Sequence, residues 1–258
     1  MLDSALTCRK GEVLIDSHIH LHEYGDEVYK YCGIHYLYLI AVSDDLESSR
    51  RTLELRNNCW NVIPAVGIHP WSISEGADKY LSQVLELVSE ANFVGEVGLD
   101  KKFVPQTYEK QLTVFREFLK VAKEYGKGIS VHAAGAWVDV LRELEKHDAK
   151  VAVIHWYTGP TELLNTIKSL GYYIGVNPAI KIQKKMKEVV KAAPLEILLT
   201  ESDGPYNYRK LKLGPELIHD TIKIIAELKG ISEAEVANAI KQNFKSLMKK
   251  LGISISLI

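Results

Sequence analysis

Apolar residues along this chain gather into short uninterrupted runs, separated by stretches in which they recur every three or four positions. The runs at 12–20, 34–43, 62–68, 93–99, 129–132, 150–156, 172–177 and 196–202 predict eight strands. Between most of them lies a helical pattern. It is clearest over 108–125, where Leu112, Phe115, Phe118, Leu119, Ala122 and Tyr125 share one face. Others cover about 46–59, 80–91, 137–147, 162–170, 184–193 and 216–228. A last segment, 232–251, reads as an additional closing helix with Ser232 and Glu235 spaced as a capping box. Eight strand–helix units in 258 residues predict an α/β fold, a (β/α)8 TIM barrel with an extra C-terminal helix, forming one domain over 1–258. A doubly wound sheet usually stops at five or six strands and opens on a glycine-rich turn, which is missing.

Composition changes this picture little. The chain is 47% hydrophobic and 25% charged, ordinary for a globular protein with a large core. The longest uninterrupted apolar run, 36–42, is too short to span a bilayer, and the opening MLDSALTCRK carries no apolar core of signal length, so no membrane partner and a cytoplasmic location are expected. With 32 basic and 33 acidic side chains, any attraction to nucleic acid must come from a local patch. Cys8, Cys32 and Cys59 are widely spaced with no C-x-x-C pair, so they are expected to be reduced, forming neither a disulfide framework nor a cysteine–zinc site.

Candidate chemistry begins with DSHIH at 16–20. Side chains alternate along a strand, so His18 and His20 point the same way, as a metal-gripping pair would. Barrel enzymes build their sites at the C-terminal ends of strands. Those ends also carry Glu96 in VGEVGLD, His132 in ISVHA, His155 in VAVIHW and Asp203 in LLTESDGP. Taken singly, a strand-end histidine is more often a hydrogen-bonded rim residue, Glu96 an ion-pair partner and Asp203 a turn cap. Together, four imidazoles and two carboxylates crowd one apolar mouth, and a bound metal is what compensates them. Four imidazoles favour zinc, manganese, nickel or cobalt over magnesium.

The set resembles the TatD family of metal-dependent deoxyribonucleases within the amidohydrolase superfamily. DSHIHL is similar to the family's D-T-H-x-H, GIHPW to G-x-H-P, GEVGLD to G-E-x-G-L-D, IHWYTG to H-x-F-S-G and ESDGPY to E-T-D-x-P-Y, in matching order from Asp16 to Tyr206. GEVGLD and ESDGPY are the most specific, because many superfamily members carry a carboxylated lysine where Glu96 stands. The resemblance implies two divalent metal ions (Zn, Mn or Mg), one held by His18, His20, Glu96 and Asp203, the other by Glu96, His132 and His155, with Glu96 bridging. Asp203 would also be the catalytic residue that orients or deprotonates the attacking water. Asn243 falls where the family has a structural asparagine.

Departures cluster where substrate should lie. Ala134 stands where the family has an arginine two places after the strand 5 histidine, Asn177 and Pro178 replace small residues, and PYNYRKLKLGPEL replaces the usual loop after strand 8. His69 in GIHPW is a candidate substrate contact or a turn histidine before Pro70. Lys181 and Arg209 head two basic stretches after strands 7 and 8, where barrels commonly bind phosphate, although a lysine-rich solvated helix face would look the same. Trp71, Trp156, Tyr157 and Tyr206 are candidates for base stacking or for packing. The expected partner is DNA, single-stranded, with no protein partner. A metal hydrolase acting on a small amide, lactone or aminoacyl ester is the rival, since the same activated water attacks carbonyls. A Schiff-base aldolase lacks its lysine at the tip of strand 6, and a silent binding scaffold would not need all six ligands.

Overall fold

The computed structural model describes residues 13–255. All eight predicted strands are present, seven of them shorter than expected and the fifth one residue longer: β1 (Leu14–Ile19), β2 (Leu37–Ala41), β3 (Val62–Val66), β4 (Phe93–Gly98), β5 (Gly128–His132), β6 (Ala152–Ile154), β7 (Tyr173–Val176) and β8 (Leu198–Thr200). They pair in sequence order, every pair parallel. Every residue in them is buried, which is why they read as unbroken apolar runs: helices cover one face and side chains fill the other.

Among the described residues no ladder joins β8 to β1, and the barrel is nearly closed by individual bonds across this seam. The Thr200 hydroxyl donates to the Ile15 carbonyl at 2.6 Å, the Ser202 N–H to Asp16 Oδ1 at 2.8 Å and the Asp203 N–H to the His18 carbonyl at 2.9 Å. Asp16 is fully buried there, and burial pushes its carboxyl up to about 8.

Outside lie α1 (Leu46–Asn58), α2 (Pro70–Ser74), α3 (Leu81–Leu87), α4 (Tyr108–Tyr125), α5 (Trp137–Lys146), α6 (Leu164–Ser169), α7 (Lys184–Ala192), α8 (Ile218–Lys229) and the closing α9 (Glu233–Lys250). In α4 the apolar stripe buries Val114, Phe115, Phe118, Leu119 and Ala122, and the helix stops at Gly126, whose φ of +64° places it in the left-handed region that glycine enters freely. The capping box of α9 is formed, with Ser232 Oγ accepting from the Glu235 N–H and Glu235 Oε2 from the Ser232 N–H. Asn243 Nδ2 donates to the carbonyls of Leu195 and Leu198, tying α9 to β8, a structural role. The unit after β1 differs from the others: it is a run of 3-10 turns over Leu21–Lys30, broken at Gly25, rather than an α-helix.

The cysteines correct the sequence reading. Cys32 and Cys59 form a disulfide with Cα atoms 4.7 Å apart. Each precedes a strand, β2 and β3 respectively, and neighbouring parallel strands bring their entry segments together at the same end of the barrel, so a sequence separation of 27 hides the proximity. Cys8 lies outside the described residues. No helix among the described residues is long and apolar enough to cross a membrane.

Candidate metal centre

Ladder register breaks in two strands, between Asp16 and Ile19 in β1 and between Val94 and Val97 in β4. Such irregularities re-aim side chains, and the two here bracket His18 and Glu96. Glu96 is buried at the C-terminal mouth of the barrel, and its two oxygens face different sets of partners. Oε2 lies 3.1 Å from His18 Nε2 and 3.3 Å from His20 Nε2; Asp203 Oδ1 stands 3.6 Å from each of these nitrogens. Oε1 lies 2.8 Å from His132 Nδ1, 3.2 Å from His155 Nε2 and 3.3 Å from His69 Nε2. All six residues expected to ligate metal therefore converge, and His69 joins them.

Each imidazole that faces inward through one nitrogen is steadied or addressed through the other. His18 Nδ1 is 2.9 Å from Ser130 Oγ, His20 Nδ1 is 3.1 Å from Asp44 Oδ2 and His132 Nε2 is 3.0 Å from Asp100 Oδ2. His69 Nδ1 accepts the Trp71 N–H at the start of α2. His155 Nδ1 is buried without a hydrogen-bond partner, 3.6 Å from Glu201 Oε1. Glu201 is itself fully buried and accepts the Trp156 N–H at 2.7 Å. Gly175 in β7 makes room for it, since a Cβ there would overlap the Glu201 carboxylate. Such supporting carboxylates fix ring orientation and raise ligand basicity.

Burial opposes ionisation of Glu96, yet the imidazoles around it, His69, His155 and His18 foremost, hold its carboxyl well below the usual range. Burial, with His155 alongside, lowers His18 below the ordinary imidazole value and keeps it neutral, the form that ligates. The rings of His18 and His155 stack at 4.0 Å. Trp156 and Asp203 both have positive φ, +45° and +55°, so the chain is strained beside His155 and at Asp203 itself.

This donor set fits divalent cations. Ligands at roughly 2.1 Å from one ion stand about 3 to 3.5 Å apart, and the inward-facing atoms here are separated by 2.8–3.6 Å. A carboxylate buried among this many imidazoles is the arrangement that positive charge completes.

The centre forms the floor of a cavity of about 670 Å³, whose walls include Trp71, Phe103, Trp156, Tyr206 and Tyr208. Lys102, after β4, is the one lysine or arginine among the described lining residues. A larger depression of about 1000 Å³ between α1 and the 3-10 turn at Ala77–Tyr80 holds none of the candidate residues. Lys181 and Arg209 do not line the cavity: the Lys181 ammonium pairs with Asp220 at 2.6 Å, and Arg209 turns its guanidinium over the Tyr208 ring. Tyr157 is a packing residue, buried against Trp137, with its hydroxyl donating to the Pro160 carbonyl. Sequence reasoning missed Asp44, Asp100, Glu201 and Lys102. Asp100 and Glu201 stand inside GEVGLD and ESDGPY, and Asp44 follows the second apolar run, so position at a strand end was the available signal.

The family described as TatD related DNase matches residues 15–249. The metal-dependent hydrolase MJ1582 of Methanocaldococcus jannaschii is 28% identical over 247 residues, covering 92% of this chain and 97% of its own. The metal-dependent hydrolase YcfH of Escherichia coli is 28% identical over 254 residues, covering 91% and 95%. Among solved structures, the TatD homologue YjjV from Escherichia coli superposes with a TM-score of 0.79 at 26% identity, over 92% of this chain and 97% of its own. A TatD family hydrolase from Entamoeba histolytica gives 0.78 at 22% identity, a likeness of fold, over 92% and 98%.

Proposed function

The chain belongs to the TatD-related DNase family and is a metal-dependent hydrolase, and we propose that it cleaves phosphodiester bonds in single-stranded DNA with two divalent cations at the Glu96 centre. The observation that carries this reading is the division of labour at Glu96, whose Oε2 lies against His18 and His20, with Asp203 beside both rings, while Oε1 lies against His132 and His155. Ions held there supply a water acidic enough to ionise near neutral pH and positive charge against the phosphate in flight.

The chain's own residues do the rest. Asp203 sits beside both β1 imidazoles, and its carboxylate takes the proton from the attacking water. Lys102 meets the phosphate at the β4 side of the mouth. Trp71, Phe103, Trp156 and Tyr206 offer faces on which bases stack. A base held in a duplex cannot reach the floor of a recessed cavity without leaving its stack, whereas a single strand can enter.

The poverty of cations in the cavity favours a second reading, hydrolysis of a small amide, lactone or aminoacyl ester. One experiment separates the two. A labelled single-stranded oligonucleotide incubated with Mn²⁺ should lose nucleotides, and both EDTA and Asp203→Asn should stop the loss, the variant by about 10²- to 10⁴-fold. Inert DNA alongside turnover of an ester or amide panel would refute the nuclease.

A further inference from the structure

We infer a third divalent-cation site beside the Glu96 centre, built from His22, Glu23 and Asp44 and serving the same phosphate-bearing substrate proposed above. Ligand atoms of these residues and of His20 lie within 4.8 Å of one another. The spacing points to what joins them. His22 Nε2 stands 3.1 Å from Asp44 Oδ2, within the roughly 3 to 3.5 Å that donors around one ion adopt. His22 Nδ1 faces the Val42 carbonyl oxygen at 3.2 Å, a contact that holds the ring with Nε2 turned to Asp44.

His22 is not one of the six central residues, though it shares the Asp44 oxygen with His20. Its ring is edge-on to His20 at 5.8 Å, while His20 turns its Nε2 to Glu96. Glu23 and Asp44 both line the cavity, and Glu23 is exposed. One imidazole and two carboxylates, with the remaining positions open to water, suit a manganese-like ion better than a closed structural zinc.

The site answers a deficit of charge. A phosphodiester strand brings negative charge to a mouth lined by Glu23, Asp44 and Glu75, where Lys102 is the one permanent cation among the described residues. Lys102 stands on the β4 side. A cation at His22 would meet the strand from the β1 and β2 side.

The test counts ions. The full chain is stripped with chelator, reconstituted with saturating Mn²⁺, desalted and analysed for manganese by mass spectrometry, and crystals grown in Mn²⁺ are examined for anomalous peaks. Wild type should hold three ions per chain, one peak lying between His22 Nε2 and Asp44. His22→Ala and Glu23→Ala should each hold two, and retention of those two shows that the variants fold. A wild-type count of two, or an undiminished count in His22→Ala, overturns the third site and leaves the nuclease reading standing. A chain that takes up no manganese overturns both.

Discussion

Asp100 stands directly behind His132: its Oδ2 lies 3.0 Å from His132 Nε2, while Nδ1 of the same ring lies 2.8 Å from Glu96 Oε1. Asp100 also accepts the N–H groups of Lys102 and Phe103 and the indole of Trp71, so one carboxylate aims a ligand and shapes the cavity wall. Burial opposes its charge, but these donors, His132 first, keep its carboxyl below the usual range. Asp100→Asn should weaken metal binding by about 10- to 100-fold, the usual effect of losing such a partner. Titration of stripped protein with Zn²⁺ against a competing chelator would measure it, and unchanged affinity would remove Asp100 from the metal site.

Glu96→Gln preserves shape and removes the charge that both clusters share. The several kcal/mol of charge stabilisation at stake correspond to about 10²- to 10⁴-fold in rate. The variant should also purify with fewer ions than wild type. A variant with full metal content and normal turnover would dissolve the bridging assignment.

Lys102 tests the substrate independently of the chemistry. If it pairs with one phosphate of a single strand, Lys102→Ala should raise KM for the oligonucleotide. It should also flatten the slope of log affinity against log salt by about 0.7. An unaltered salt slope would place the phosphates elsewhere.

The Cys32–Cys59 bond closes a loop of 27 residues. Loop entropy of that length contributes about 3.5 kcal/mol. For a chain of this size, each kcal/mol corresponds to roughly 2–4 °C in Tm. Cys32→Ser should therefore melt about 7–14 °C below the oxidised wild type, and reductant should lower the wild type towards the variant while leaving the variant unmoved. Equal melting temperatures with and without reductant would contradict this.

Arg116 on α4 donates two hydrogen bonds, at 2.8 and 2.7 Å, to the buried carboxylate of Glu143 on α5. Those bonds, against the smaller cost of burial, lower the Glu143 carboxyl below its ordinary value of 4.5. A group depressed on folding stabilises above its unfolded value and stops doing so as pH falls through its folded value. Glu143→Gln should thus cost about 1–2 kcal/mol at pH 7, Arg116 being partly open to solvent, and the gap should narrow as pH falls below the ordinary 4.5 and through the lowered folded value. A series of urea unfolding curves from pH 7 down into the acid range would show it; a gap constant over the whole series would argue that packing, not charge, is lost.

The eight strands, the helices between them and the closing helix were legible in the chain itself, because strands buried on both faces must be apolar throughout and a helix on a barrel must repeat every three or four residues. His18, Glu96, His132, His155 and Asp203 were legible too, since each polar residue interrupts or ends an apolar run where nothing else requires one. Tertiary structure decided the rest. It alone set Asp100 and Glu201 behind their histidines, joined Cys32 to Cys59, paired Lys181 with Asp220 and laid Arg209 over Tyr208. Periodicity along a chain reports burial, which is local and one-dimensional. Which buried groups meet depends on how strands far apart in sequence pair and where the barrel closes, and no spacing of residues carries that.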